Sequence, residues 1–436
     1  MKKLVILSIS LSLLSLRCDK DFVSAIVDQL PEPNIILIIA DDVGLDATPG
    51  YPFSGVIKPN MSNLESLALN GITFDNVWAN PVCSPTRATI LTGKYGYSTG
   101  VLNAGTDAII SSSELTIQKY LDDNVSAGYS HAVIGKWHLS NDVNQPTQMG
   151  IGYYAGIISG AVSSYDIWPF TDNGQTTIDS TYVTTKLTNL AIDWINQQSS
   201  PWFCWLAYNA PHTPFHLPPD SMHSQGVLPT DAASINSNPL PYYMAMLESI
   251  DFEIGRLLNN IPADERDRTI IIFIGDNGTP SDVVQAPYSA QRSKASLFQG
   301  GINVPMVASG YGVSRINERD SSLISSTDLF ATIAELGGKE LPVYEDSYSF
   351  KALLSNKEKG PRVYNYSEVK SNNLNRSGYT IRNEKYKLLD FENGNKLFYD
   401  LENDPFESNN LLNGTLTAEQ DSARIELLQE ANDIRQ

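Results

Sequence analysis

The stretch Asn34-Ile35-Ile36-Leu37-Ile38-Ile39-Ala40, followed at once by Asp41-Asp42, decides how this sequence folds. Its apolar run is unbroken and rich in β-branched isoleucine. That predicts a strand covered on both faces, as in a parallel sheet, rather than the alternation of a half-solvated one. The same arrangement returns three times. His131–Ile134 runs into Gly135-Lys136-Trp137-His138, Trp202–Ala207 (WFCWLA) into Asn209-Ala210-Pro211-His212, and Thr269–Ile274 (TIIIFI) into Gly275-Asp276-Asn277-Gly278. Ligands of open α/β sheets bind beyond the carboxyl ends of the strands, so these four polar clusters are expected to face one crevice.

Residues 60–70, 115–122, 180–198, 241–260 and 326–336 carry apolar side chains at helical spacing. Strands alternating with helices predict an α/β sheet with helices on both faces. The character changes at about residue 345. Short β-rich runs at 363–369, 379–383, 386–391 and 396–401, joined by turns such as Glu392-Asn393-Gly394, precede a charged helix at 417–435. This is the pattern of a small antiparallel α+β domain. The expected organisation is a catalytic domain over 33–345 and a C-terminal domain over 346–436.

The chain has 436 residues, 42% hydrophobic and 18% charged, with 29 Gly and 24 Pro. Such a length supports two or three domains with a large core, and the composition excludes collagen-like, coiled-coil and wholly disordered classes. Thirty Lys and Arg against 49 Asp and Glu leave a net charge of −19. Its long-range field argues against a general nucleic-acid or anionic-membrane binder. Any anionic substrate has to be met by a local cluster of cations.

Lys2-Lys3 followed by apolar Leu4–Leu16 has the layout of an export signal, and its 13 apolar-region residues fall short of the ~20 that a membrane-spanning helix needs. Cys18 stands where a bacterial lipoprotein carries its lipidated cysteine. Arg17, however, occupies a position that usually holds a small residue, and ordinary signal cleavage nearby is an equal alternative. Residues 1–18 are thus expected to be a signal and 19–32 a polar linker. The mature chain is then exported, to the periplasm, a bacterial outer membrane or the outside of the cell.

Three cysteines, Cys18, Cys83 and Cys204, cannot build a disulfide framework. Cys204, inside WFCWLA, reads as a buried hydrophobe. Cys83 opens Cys83-Ser84-Pro85-Thr86-Arg87, continued by Leu91-Thr92-Gly93-Lys94, and so sits beside cations in a loop that starts a helix. Either a thiol of lowered pKa or a structural residue fits those surroundings.

C-x-P-x-R followed by Thr-Gly-Lys resembles the signature of the type I, formylglycine-dependent sulfatases of the alkaline-phosphatase-like superfamily. The resemblance continues through Asp41-Asp42, Gly135-Lys136-Trp137-His138-Leu139, Ala210-Pro211-His212 and Gly275-Asp276-Asn277-Gly278. Lys294-Ala295-Ser296, Gly300-Gly301-Ile302-Asn303-Val304-Pro305 and the tail Leu397-Phe398-Tyr399-Asp400-Leu401-Glu402-Asn403-Asp404-Pro405 extend it. It implies a large mixed, mostly parallel sheet sandwiched by helices, and hydrolysis of a sulfate ester to an alcohol and inorganic sulfate. It also implies a maturation enzyme that oxidises Cys83 to formylglycine (3-oxoalanine), whose hydrated aldehyde is the nucleophile.

Asp41, Asp42, Asp276 and Asn277 offer oxygen donors only, which suits a hard cation such as Ca2+ or Mg2+ rather than zinc. The resemblance makes the side chain at position 83 a further ligand and the single ion usually calcium. By the same resemblance Arg87 and Lys94 hold the formylglycine and its metal shell, while Lys136 and Lys294 bind the sulfate oxygens. His138 resembles the base that restores the aldehyde, and His212, helped by Lys294, the group that protonates the leaving oxygen. Imidazole suits both proton-transfer roles near neutral pH.

His131 lies within a strand and reads as structural, and His216 as a solvated loop residue in preference to a substrate contact. Tyr153, Tyr154, Tyr165, Trp168 and Phe170 fit a sugar-stacking wall and core packing equally well. Gln299 and Asn303 stand where the family usually has Glu and often Arg, which puts substrate preference in question. The expected substrate is a sulfated polysaccharide or oligosaccharide. A phosphonate monoester hydrolase shares C-x-P-x-R and is the nearest rival. A phosphatase with a Ser or Thr nucleophile and zinc-ligating histidines fits less well. A non-catalytic, glycan-binding surface lipoprotein would be expected to have lost some of these groups.

Overall fold

In the computed structural model, which describes residues 32–436, the run 34–40 is a strand at the middle of a ten-stranded sheet. The strands are β1 (Asn34–Ala40), β2 (Gly71–Trp78), β3 (Ser130–Lys136), β4 (Tyr153–Ile157), β5 (Trp168–Asp172), β6 (Gln175–Asp179), β7 (Trp202–Ala207), β8 (Thr269–Gly275), β9 (Met306–Gly310) and β10 (Glu318–Ser325). Their spatial order is β10-β2-β9-β8-β1-β7-β3-β4-β5-β6. The block β8-β1-β7-β3-β4 is parallel throughout. β9 runs against both of its neighbours, and β5 against both of its own, so the sheet is mixed but mostly parallel.

Every residue of β1, β7 and β8 is buried, as their unbroken apolar runs require. Alternate side chains serve two cores. Ile35, Leu37 and Ile39 pack toward α2 (Cys83–Thr92), α3 (Ile117–Asn124) and α6 (Leu329–Leu336); Ile36, Ile38 and Ala40 pack toward α1 (Ser62–Leu69), α4 (Val183–Ile195) and α5 (Leu240–Asn260). Each isoleucine of β1, wholly removed from water, contributes roughly 1.5–3 kcal/mol of burial. Cys204 on β7 is one of these core residues. So are Tyr154, Tyr165, Trp168 and Phe170, while Tyr153 is half-buried against the same core, so four of the five aromatics are core packing rather than a sugar-stacking wall.

After a short hairpin, β11 (Val343–Tyr344) and β12 (Ser347–Tyr348), the chain forms a sequential antiparallel sheet. Its strands are β13 (Asn365–Val369), β14 (Gly378–Arg382), β15 (Tyr386–Phe391) and β16 (Lys396–Asp400). Helix α7 (Ala418–Ile434) buries Ala423, Leu427 and Ala431 against it. Phe350, Leu353 and Leu354 still belong to the core of the large unit, so the changeover expected at 345/346 falls after residue 354. The expected signal, Cys18 and nearly all of the linker lie outside the described residues. Among the described residues no helix is long and apolar enough to cross a membrane.

Candidate active site

Parallel pairing puts the carboxyl ends of β1, β3, β7 and β8 on one edge of the sheet, and the four polar clusters that follow them meet there. β2 delivers a fifth group, for the chain leaves it through Asn80-Pro81 and enters α2 at Cys83. All ten residues of α2 are buried, and Gly93 in the left-handed conformation (φ 71°) ends it. Asp42 (φ 70°), His138 (φ 55°) and Ala295 (φ 64°) are held at positive φ at three turns around this centre. Such strain, on the order of 1–3 kcal/mol per residue, persists where surrounding structure enforces it and concentrates at functional sites.

Cys83 Sγ lies 3.2 Å from His138 Nδ1, and Ser84 Oγ donates to the His138 carbonyl at 2.8 Å, so both ends of that histidine face the start of α2. Arg87, with no exposed surface, donates to Asp276 Oδ2 and to the Lys136 carbonyl, both at 2.8 Å. Lys136 Nζ donates to Asp41 Oδ2. Lys294 Nζ donates to Asp42 Oδ2 at 2.6 Å, Asn277 Nδ2 to Asp42 Oδ1 at 2.8 Å, and the Asp42 amide to Asp276 Oδ1 at 3.0 Å. His212 Nε2 stands 3.9 Å from Asp42 Oδ2. Three buried carboxylates thus interlock with three cations, Arg87, Lys136 and Lys294.

The oxygen donors of this set, from Asp41, Asp42, Asp276 and Asn277, fit a hard cation, which the soft Cys83 thiol does not. Asp41, Cys83 and Asp276 each bring one ligand atom within 4.8 Å of the others. Asp41 Oδ1 and Asn277 Oδ1 are buried oxygens without any hydrogen-bond partner, a costly state that an ion would relieve.

Residues 33–339 match the family model described as Sulfatase. The chain belongs to the sulfatase family. It is therefore a sulfuric ester hydrolase. Residues 292–434 of this sulfatase also match the model described as N-sulphoglucosamine sulphohydrolase, C-terminal. The chain is 24% identical to an N-acetylglucosamine-6-O-sulfatase of Bacteroides thetaiotaomicron over 92% of its own length and 87% of that protein's. Among solved structures, Ps i-CgsB in complex with k-i-k-neocarrahexaose superposes with a TM-score of 0.75 at 24% identity, covering 93% of this chain and 94% of the other. The phosphonate monoester hydrolase of Agrobacterium radiobacter shares the fold as well, with a TM-score of 0.67, 19% identity and coverage of 92% and 95%.

Burial dominates the electrostatics of this sulfatase's centre. It raises the Asp41 carboxyl to about 8, with the Asp276 carboxylate adding to the rise and Lys136 opposing it. Asp42 is driven the other way, to about 2, because Lys294, His212 and Lys136 together outweigh its burial. The Cys83 thiol is pushed up by burial, with Lys136 opposing and Asp41 and Asp276 reinforcing, so the site does not favour a thiolate. His138 falls to about 2 through burial and then the charges of Lys136 and Arg87; His212 falls to about 4 through burial and then Lys136. Both imidazoles are neutral at pH 7, and His212 Nδ1 donates to the Thr213 carbonyl at 2.8 Å, which turns Nε2 toward the centre.

Asp41, Asp42, Cys83, Arg87, Lys136, His138, His212, Asp276, Asn277 and Lys294 are all brought together; Lys94 is not. It follows the C-cap of α2, about 15 Å of helix from Cys83, and its ammonium pairs with Glu114 at 2.9 Å. The expectation that Lys94 holds the metal shell is corrected accordingly. His216 is half-buried rather than a free loop side chain: its ring lies 4.2 Å from the Tyr165 ring, and Nε2 meets the Tyr182 hydroxyl at 3.0 Å. His131 is structural, fixed by Asp122 at 3.0 Å and by the Gly152 amide. Gln299 accepts from Trp78 Nε1 and Asn303 from the Val77 amide, so both departures from the family pattern stitch residues 299–303 to β2.

The supports of the site carry no signal in the sequence. The Tyr243 hydroxyl donates to the Asp42 carbonyl at 2.8 Å, and the Tyr165 hydroxyl to the Asn209 and His212 carbonyls at 2.8 and 2.7 Å. Tyr243 lies inside an ordinary amphipathic helix, and only contact across the fold reveals its part.

Proposed function

We propose that this sulfatase removes sulfate from a sulfated polysaccharide or oligosaccharide, using a formylglycine that a maturation enzyme makes from Cys83 and one divalent cation, Ca2+ in preference to Mg2+. The carrying observation is the start of α2: Cys83 touches His138 Nδ1 and faces Asp41 and Asp276 across a set of oxygen donors with two orphaned members. Asp41, Asp42, Asp276, Asn277 and residue 83 would hold the ion. When bound it supplies positive charge and Lewis acidity to the sulfate oxygens, and the oxidised residue 83 supplies the attacking oxygen. A relative named as an N-acetylglucosamine-6-O-sulfatase and a structural neighbour solved with k-i-k-neocarrahexaose support the glycan substrate. Export, through the N-terminal apolar run or with a lipid at Cys18, suits a polymeric substrate.

The chain's own groups divide the work. Lys136, Lys294 and His212 hold the sulfate in line, which is most of what group transfer to oxygen requires. As the bond from sulfur to the alcohol oxygen breaks, His212, with Lys294 beside it, delivers a proton to that oxygen; burial and then Lys136 keep His212 neutral, and the arriving anion offsets the second of these. His138, as the tautomer protonated at Nε2, then accepts at Nδ1 the remaining hydroxyl proton of residue 83. Sulfate leaves as the carbon–oxygen bond to that residue breaks, and the aldehyde re-forms. Arg87 fixes Asp276 and the Lys136 backbone. Mass spectrometry of the peptide containing residue 83, after co-expression with a maturation enzyme, should show the aldehyde. Cys83→Ala should lower aryl sulfate turnover by about a thousandfold or more with an unchanged melting profile. Unmodified cysteine in an active preparation, or faster turnover of an aryl phosphonate ester, overturns this reading.

A further inference from the structure

We propose that the cavity between residues 100–107 and the turn 370–376 is a second anion subsite, which takes a carboxylate or sulfate on the sugar next to the one bearing the scissile ester. This rests on the glycan reading above. The cavity measures about 550 Å3, well within the range of ligand sites, and it begins beside the reaction centre. Val82, which precedes Cys83, and Ala295, which follows Lys294, both line it. Ala104 and Gly105 line this cavity and also a smaller one that contains His138, Ser140 and Gly160, so the two cavities adjoin across residues 104–105 and the smaller reaches the histidine beside Cys83.

The other wall comes from the C-terminal sheet. β13 ends at Val369, and the Lys370 amide donates to the Leu102 carbonyl at 2.8 Å, which pins the turn against the 100–107 loop. Lys370 and Arg376 stand on this wall. Among the described residues they belong, with Lys58 and Lys339, to the few Lys and Arg whose head groups make neither an ion pair nor a hydrogen bond. Asp107, the one acid of the lining, pairs with neither. In a chain of net charge −19, most cations are consumed by carboxylates. Two unspent ones on one wall of a cavity bordered by the chain neighbours of Cys83 and Lys294 constitute a place where an anion gains and a neutral sugar does not.

The test is binding, measured by calorimetry on the Cys83→Ala protein so that no turnover interferes. The ligands are two series of sulfated tetrasaccharides, one with a uronic acid carboxylate and one with a second sulfate beside the target residue. Adding Lys370→Gln and Arg376→Gln should weaken binding at least tenfold in one series and flatten its salt dependence, and the series that loses more identifies the anion. The control pair Lys58→Gln and Lys339→Gln should leave binding unchanged. A loss below fivefold in both series, an equal loss with the control pair, or no binding of either series overturns the subsite. Failure of the wild-type enzyme to release sulfate from any tetrasaccharide while still cleaving an aryl sulfate would instead defeat the glycan reading.

Discussion

At the scale of single residues, the site separates cations by what they face rather than by what precedes them in the chain. Lys136 and Lys94 both follow family-like strings, yet Lys136 is buried against Asp41 and Lys94 is partly exposed against Glu114. Lys94→Ala should therefore keep aryl sulfate kcat/KM within about twofold, whereas Lys136→Ala should lower it by about a hundredfold or more; comparable losses in steady-state assays would restore a catalytic part for Lys94. A second residue, Asp46, carries a pH signature. Burial pushes its carboxyl up to about 6, against hydrogen bonds from the Gln285 amide and Thr279 Oγ1. The folded chain then keeps this proton to about pH 6, while an unfolded Asp releases it near 3.9. Between those values the folded state binds more protons, so this group's contribution to stability falls as pH rises. Asp46→Asn mimics the protonated acid. The stability difference, variant minus wild type, should move in the variant's favour by about 2 kcal/mol between pH 4 and 7 in urea titrations. A flat or opposite trend would show that Asp46 titrates normally.

At the scale of elements, the carboxyl ends of the strands position the chemistry, and a glycine sets how closely two of them approach. Gly135, at φ +112°, lies where an added Cβ would meet the Ala207 carbonyl oxygen at 1.9 Å. It sits in the β3–β7 pairing immediately before Lys136. Gly135→Ala should cost on the order of 2–4 kcal/mol and lower kcat, because the strand that presents Lys136 and His138 must shift; a melting temperature within a degree of wild type would contradict this. The same physics explains what was legible beforehand. β1, β7 and β8 announce themselves because a strand buried on both faces has to be apolar throughout, and the polar residues after them read as a site because they interrupt that pattern. β2, β9 and β10 pass unnoticed: β2 carries Asp75 and Asn76, β9 is five residues long, and β10 opens on Glu318-Arg319-Asp320. β6 is an exposed edge strand with almost no buried side. Such strands are specified by partners distant in sequence, not by their own composition. Lys94 departs from its expected place for the related reason that a string fixes spacing but not which way a side chain turns after the helix ends.

At the scale of the whole molecule, the C-terminal unit holds the segment that carries Lys294. Lys294 is carried by residues 292–299, and the C-terminal unit grips that segment at several points. Arg292 donates to the Glu407 carbonyl at 2.5 Å, the Gln299 amide donates to Glu407 Oε2 at 2.7 Å, and Lys387 donates to the Leu297 carbonyl at 2.8 Å. Lys387 closes the arrangement, with Nζ 2.6 Å from Glu407 Oε1 and 4.9 Å from the centre of the Trp78 ring, and neither charged side chain reaches solvent. Burial lowers the Lys387 pKa to about 8 even with Glu407 beside it, a measure of how dry the junction is. Removing one partner of such a pair leaves a buried charge uncompensated, whereas replacing both is far less costly. Lys387→Met should accordingly destabilise the protein by about 3–5 kcal/mol, and Lys387→Met with Glu407→Gln should recover most of that loss in denaturant titrations. Because the junction also seats the Lys294 segment, the single variant should lose aryl sulfate kcat at temperatures where it remains folded, and the double variant should regain it. If kcat stays at the wild-type level in the single variant while stability falls, the C-terminal unit stabilises the fold without positioning Lys294.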